Sequence, residues 1–233
     1  MGSNEQKIVR HCAAMLVMLG LTTMAAKAQE GEYKLELGGG AGAVNYLGDY
    51  NGNLLKNFQP AANIIAKWNF NPRMSMSANM GYGKLKGSSK GLNTYYPDDV
   101  TTPYDFKTNL YDFSLLFESS FWGYGMAGNY KNLKRTVPYI LLGVDAFYAK
   151  PNHGSSGMGV AFTAGVGVKH KLAERLNIGA DWTIHFTNSD VLDGVADPYG
   201  IESSGLLKNT DSFGQLRVFI TYSLLQVCSK CNQ

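Results

Sequence analysis

His185 and Asp181 are the first residues to weigh for chemistry. They stand four apart in LNIGADWTIHF, residues 176–186. In an extended chain that spacing puts an imidazole and a carboxylate on one face, which is half of a general-base or metal site. No Ser, Cys or second His lies at a spacing that completes it, so a hydrogen-bonded polar network is the expectation. His170 falls on the apolar side of its own segment near a turn, and no G-x-S-x-G elbow is present. Asp190, Asp193 and Asp197 in TNSDVLDGVADPY could offer oxygens to a hard cation. Their spacing is not that of an EF-hand loop, and Asp, Gly and Pro together are turn formers. Cys228 and Cys231, in CSKC, could oxidise, act as a redox pair or form half of a zinc site. The run Gly38, Gly39, Gly40, Gly42 could cradle phosphate only if a helix followed it, and none is indicated. No catalytic, cofactor-binding or metal-ligating residue is therefore assigned.

The elements around these residues are more informative. In residues 176–186, Leu176, Ile178, Ala180, Trp182, Ile184 and Phe186 alternate with Asn177, Gly179, Asp181, Thr183 and His185. That is a strand with one apolar and one small or polar face. Its length suits a tilted membrane crossing of ~9–11 residues. The chain opens with a positive stretch (Lys7, Arg10, His11), an apolar run from Cys12 to Met24, and Ala26-Lys27-Ala28. These are the parts of a secretory signal peptide, with cleavage expected after Ala28. Cys12 follows Arg-His, which does not fit a lipoprotein signal. Removing residues 1–28 takes three of the 21 basic residues (Lys7, Arg10, Lys27) and one of the 18 acidic (Glu5), so a net charge of +3 becomes +1. Such a balance implies no nucleic-acid partner. Abundant Gly (27), 28 aromatic residues and only 17% charged residues fit an outer-membrane barrel better than a soluble enzyme.

Eight strands follow from the alternation: 33–47, 58–70, 74–84, 107–121, 137–149, 158–172, 176–186 and 213–224. Both faces of the fifth are apolar except at Asp145. The links after strands two and six are very short, around 71–73 and 173–175, whereas 85–106 and 188–212 are long and polar. Short inner turns and long outer loops are the asymmetry of bacterial outer-membrane barrels; the link 122–135 is the exception. In lipid every backbone polar group must be paired within the protein, so the sheet must close. The expected fold is all-β: a closed antiparallel up-and-down transmembrane barrel of about eight strands over residues 29–225, after the signal peptide 1–28 and before a periplasmic tail 226–233. Lys34, Glu36, Lys67, Asp112, Glu118, Asp145, Lys169, Asp181, His185 and Arg217 are expected to fill a plugged polar lumen. A secreted lipocalin-like barrel binding a small apolar ligand is the alternative. It would turn Val166, Trp182, Ile184 and Ile220 inward. A second alternative is a small lipid-modifying outer-membrane enzyme.

The stretches YKLELGGGAGAVNYLGDY and WNFNPRMSMSANMGYGKLKG resemble the PorG-like outer-membrane β-barrel proteins of Bacteroidetes. The likeness lies in a glycine-rich first strand ending in an N-Y-x-G-D corner (Asn45 to Asp49) and an F-N-P-R hairpin (Phe70 to Arg73). VPYILLGVDAFY is similar to the family's fifth strand, TNSDVLDGV to its T-D-x-L-D-D-V loop, and CSKCN to its tails. Asn188-Ser189 departs from the family's acidic–aromatic pair. For function the expectation is a non-enzymatic anchor or scaffold for an envelope assembly; the resemblance implies an outer-membrane protein associated with type IX secretion. Its implied partners are outer-membrane lipid and a periplasmic ring of PorK and PorN type. The link 122–135 and the tail are the expected contacts with that ring.

Overall fold

The computed structural model describes residues 32–47, 57–88, 105–126, 133–152, 156–189, 192 and 211–227. The expected signal peptide at 1–28, Asp190, Asp193, Asp197, Cys228 and Cys231 lie outside them. Eight strands form a closed, wholly antiparallel barrel: β1 (Leu35–Leu47), β2 (Gln59–Asn69), β3 (Met74–Ser88), β4 (Asp105–Ser120), β5 (Thr136–Pro151), β6 (Gly157–Lys171), β7 (Leu176–Thr187) and β8 (Ser212–Ser223). Each pairs with its neighbour in sequence, and β1 pairs with β8 from Glu36↔Ser223 to Leu47↔Ser212. Every strand edge is thereby used, as a bilayer requires.

The pattern of exposure decides between the two barrel readings. Ile64, Met80, Leu115, Val166 and Ile220 are exposed on the outer wall, Ile64 by 69%. Lys67, Glu118, Lys169, Asp181 and Arg217 are buried inside. An apolar wall around a charged interior is the inverse of a soluble lipocalin. The β2–β3 turn shows how local chemistry sets the register. The backbone N–H groups of Arg73 and Met74 donate to Asn71 Oδ1 at 2.8 and 2.9 Å, an Asx turn followed by proline.

Three expectations need correction. Lys34 is exposed, not in the lumen, because the alternation breaks there. It lies between strands, its N–H bonded to Leu225 O at 2.9 Å, and Tyr33 turns inward instead. The third and fourth strands run beyond 84 and before 107, carrying Leu85 and Phe106 into the barrel mouth where both are fully buried. The interior is not uniformly polar either. Ile65, Leu116, Tyr139, Leu141 and Phe219 form one apolar cluster. A larger one near the long loops includes Val44, Tyr46, Leu85, Phe106, Leu110, Phe147 and Phe213. On β5 both faces are apolar apart from Asp145, as expected, and burial sorts them: Val137, Tyr139, Leu141, Asp145, Phe147 and Ala149 are buried, while Ile140, Leu142 and Val144 are exposed.

The glycines explain how these rings fit. Gly87, Gly159, Gly167 and Gly179 lie directly opposite Phe106, Phe147, Tyr139 and Phe219 on the next strand. A Cβ at any of the four would collide with the ring across from it. Each inward ring lies over a bare cross-strand backbone, the arrangement by which aromatics cover strand glycines. At Gly38 and Gly42 the neighbour is instead the β8 backbone, at the carbonyls of Ile220 and Leu216. The glycine-rich first strand is thus a place of close backbone approach.

Candidate functional site

The candidate site is the lumen together with its two mouths. Its polar groups are stacked in tiers. At the short-turn end, Glu36 accepts from Asn69 Nδ2 at 2.8 Å and Thr221 Oγ1 at 2.8 Å. Asn177 gathers Tyr124 Oη at 2.8 Å and Lys171 Nζ at 3.1 Å on its oxygen, and donates to Ser223 Oγ at 3.0 Å. Tyr124 belongs to the link between β4 and β5. Its N–H donates to Pro72 O at 2.8 Å, and its ring enters the mouth beside Lys169 and Lys171. Burial pushes its phenol above the ordinary value of 10.0, and Glu36 and Glu118 add to the shift. Tyr33 closes the other side of that rim, with its hydroxyl donating to Glu174 at 3.0 Å and accepting from Arg175 at 3.3 Å. Burial also raises the Tyr33 phenol.

Deeper in, Glu118 bridges two lysines: Lys67 Nζ at 2.6 Å and Lys169 Nζ at 3.5 Å. Above it, Asp181 takes Arg217 in bidentate fashion at 2.6 and 3.0 Å and accepts from Tyr139 Oη at 3.1 Å. With its amide turned to suit these neighbours, Asn63 donates to Gly40 O at 3.1 Å and accepts from Arg217 Nη1 at 3.0 Å. Lys67, Lys169, Glu118, Asp181 and Arg217 are thus ion-paired, and Glu36 and Lys171 are held by neutral hydrogen-bond partners, as burial demands.

His185 and Asp181 share a face but do not meet. Asp181 is held by Arg217, and His185 Nδ1 instead lies 2.6 Å from Asp145 Oδ2 on β5. The network expected of the pair is present with different partners: Arg217 stands directly across from Asp181 on the neighbouring strand, while Asp145 reaches His185 from β5 past the intervening β6. On its far side, His185 Nε2 lies 3.0 Å from Thr183 Oγ1. Hydroxyl, imidazole and carboxylate in that order have the connectivity of a nucleophile triad. Here His185 and Thr183 are each 1% exposed, and the imidazole stacks on Phe213 at 4.2 Å. A substrate carbonyl has no room beside them. His170 faces outward, 2.7 Å from Thr136 Oγ1. Among the described residues no group of three or more His, Cys, Asp or Glu could hold a metal ion.

The long-loop mouth is closed by apolar packing. Leu192 is fully buried, its carbonyl accepting from Thr108 Oγ1 at 2.6 Å and its N–H donating to Asp211 at 3.1 Å. Tyr46 donates to the same Asp211 and meets Phe106 edge to face at 4.9 Å. Sequence reasoning missed both plugs. Leu192 and Tyr124 sit in links, where no periodicity marks an inward residue.

The sequence matches the domain of unknown function DUF6089 over residues 10–232. The chain belongs to that family. No curated protein sequence matches it significantly. The DUF6089 barrel is similar in fold to the crystal structure of Neisserial surface protein A, NspA. The TM-score is 0.53 at 12% identity over 82% of this chain and 97% of that one. The N-terminal β-barrel domain of Pseudomonas aeruginosa OprF gives 0.46 at 13% identity over 83% and 99%. Ail, the attachment invasion locus protein of Yersinia pestis, gives 0.45 at 14% over 84% and 100%. The DUF6089 chain thus has the fold of small bacterial outer-membrane barrels, and its own wall and lumen agree with that physically.

The outer wall has the height of a bilayer. On β4 the outward series runs Tyr111, Phe113, Leu115, Phe117 and on to Phe121 beyond the strand, all exposed. Ten residues at about 3.3 Å each, tilted by about 40°, span roughly 25 Å. Aromatic residues edge the DUF6089 wall at both ends: Trp68, Phe70, Phe121 and Trp122 at the short turns, and Tyr82, Tyr111 and Tyr148 in a row at the other end. This is the girdle pattern of outer-membrane barrels.

Proposed function

We propose that the protein is a non-enzymatic outer-membrane barrel that anchors an envelope assembly through its rims. The observation that carries this reading is the filled lumen. Among the described residues, ion-paired tiers, packed rings and a buried side chain at each mouth fill the bore, which favours work at the barrel's surfaces over work in its interior. The leader at 1–28 supports export. The resemblance of Asn45 to Asp49 and Phe70 to Arg73 to PorG-like proteins supports a finer reading, attachment of a type IX secretion ring at the periplasmic rim. In that orientation the short turns face the periplasm. Trp122, exposed with Lys134 Nζ 4.2 Å from its ring centre, and the tail 226–233 are the contacts proposed for a PorK- and PorN-like ring.

Two measurements test this. Outer-membrane fractions run on gels with and without boiling should show a heat-dependent mobility shift; a protein in the soluble fraction with no shift would end the membrane reading. Co-purification from detergent should lose ring proteins in the W122A/K134A variant or on deletion of 226–233. Undiminished capture by both would remove the attachment proposal. A lipid-modifying enzyme is the second reading, favoured only by the Thr183–His185–Asp145 order. An unchanged membrane lipid profile in the H185A variant would remove it.

A further inference from the structure

The long-loop end of the outer wall carries a cluster of cations confined to one sector. Lys84 and Lys86 on β3, Lys107 on β4 and Lys150 on β5 are all exposed. The register brings them together: Lys86 lies directly opposite Lys107, and Lys84, Asn109 and Lys150 form one cross-strand row. Like charges placed opposite one another oppose the pairing of their strands, and among the described residues no carboxylate forms an ion pair with any of the four. The exposed Asp105 stands a row higher, opposite Ser88. Among the described residues the outward faces of the other five strands carry no charged side chain at this end.

What lies beneath identifies the ligand. The next row toward the wall is Tyr82, Tyr111 and Tyr148, and the one after it is Met80, Phe113 and Ala146. Two residues per row and the usual strand tilt set Lys84 and Lys150 about 5 Å above the tyrosines, and Lys86 and Lys107 about 10 Å above. Tyr82 Oη donates to Asn109 Oδ1 at 3.2 Å, which leaves the Asn109 amide NH2 as a further donor in the lysine row. Ammonium groups over an aromatic girdle over a hydrocarbon wall match, in order, a phosphate, a headgroup boundary and acyl chains. A soluble anion would use only the first of these layers. We propose that this sector binds a phosphorylated glycolipid of the outer leaflet, of lipid A type, with its phosphate among Lys84, Lys86, Lys107 and Lys150. The inference rests on the membrane reading above and adds a lipid-specific site to it.

The test uses the full-length barrel in detergent and in phosphatidylcholine nanodiscs, with lipopolysaccharide as the probe. Native mass spectrometry should show lipid A-bearing species retained by the wild type. Retention should fall at least about tenfold in K84Q/K86Q/K107Q/K150Q, since each lysine near an anionic headgroup contributes on the order of a few-fold. K86Q/K107Q should lose an intermediate amount. K34Q/K134Q, at the opposite rim, should lose none. Equal retention by the quadruple variant, equal retention of dephosphorylated lipid A, or equally tight binding of inorganic phosphate alone would each overturn the assignment. The boiling shift is measured on the same samples. Its absence in the wild type would count against the membrane reading, whereas a normal shift with undiminished retention in the quadruple variant counts against the lysine site alone.

Discussion

At the level of single residues, the buried ions are the points of greatest consequence. Arg217 and Asp181 satisfy each other in a bidentate pair within the lumen. Removing one leaves the other charged, buried and unmatched, which costs about 3–5 kcal/mol. Asp181→Ala should therefore lower unfolding free energy in lipid by about that amount, measured by denaturant titration. The double change Asp181→Leu with Arg217→Met should cost far less, because no charge is stranded. A double variant as unstable as the single one would show that the pair fixes geometry rather than neutralising charge. Gly179→Val tests packing rather than charge. Its added carbons would meet the Phe219 ring, and co-substitution with Phe219→Ala should recover part of the lost stability.

At the level of elements, the strands were legible in the sequence and the links were not. Alternation in residues 176–186 reports the pleat directly, so β7 and its facing direction follow from a period of two. The same rule loses its grip where both faces are apolar, as at Val137 to Ala149, because inward Leu141 and outward Leu142 are chemically alike. It also stops at the girdle. Above Tyr82 the outward residues become lysines, while the inward ones become Leu85 and Phe106, and the inverted pattern reads as a loop. His185 was legible as a lumen residue but its partner was not, since register with β5 is set by the whole barrel. The motifs Asn45 to Asp49 and Phe70 to Arg73 include structural residues: Tyr46 seals a mouth and Asn71 forms a turn. The link bearing Tyr124 offers a prediction at this scale. A phenol whose folded value is raised adds stability below its unfolded value of 10.0, and that contribution is lost as the pH rises through the folded value. Unfolding free energy should thus fall above about pH 10, less steeply in Tyr124→Phe. Identical alkaline profiles for the two proteins would exclude Tyr124 as the titrating plug. Tyr124→Ala should not produce ion conductance in planar bilayers, because the Lys67–Glu118 and Arg217–Asp181 tiers still fill the bore behind it.

For the whole molecule, the wall and the lumen are two solvents' worth of surface on one sheet. Leu115 lies between Tyr111 and Phe121, near the centre of the apolar belt. Arginine there should destabilise the barrel by about 2–4 kcal/mol in a bilayer. Lys107→Arg, beyond the girdle, should be near neutral. Equal effects at both positions would place the bilayer elsewhere on the barrel.

The pairing of β1 with β8 sets a condition on the order of events in the chain's life. The partners Glu36 and Ser223 are made at opposite ends of synthesis, and until Ser212 to Ser223 has left the ribosome β1 has no second neighbour. A nascent barrel therefore cannot be stored half inserted: seven strands in lipid would leave two rows of backbone amides bare. The barrel is therefore expected to close only where β8 can reach β1, with the chain arriving there unclosed. Loss of the last dozen strand residues should consequently abolish insertion altogether rather than yield a smaller barrel.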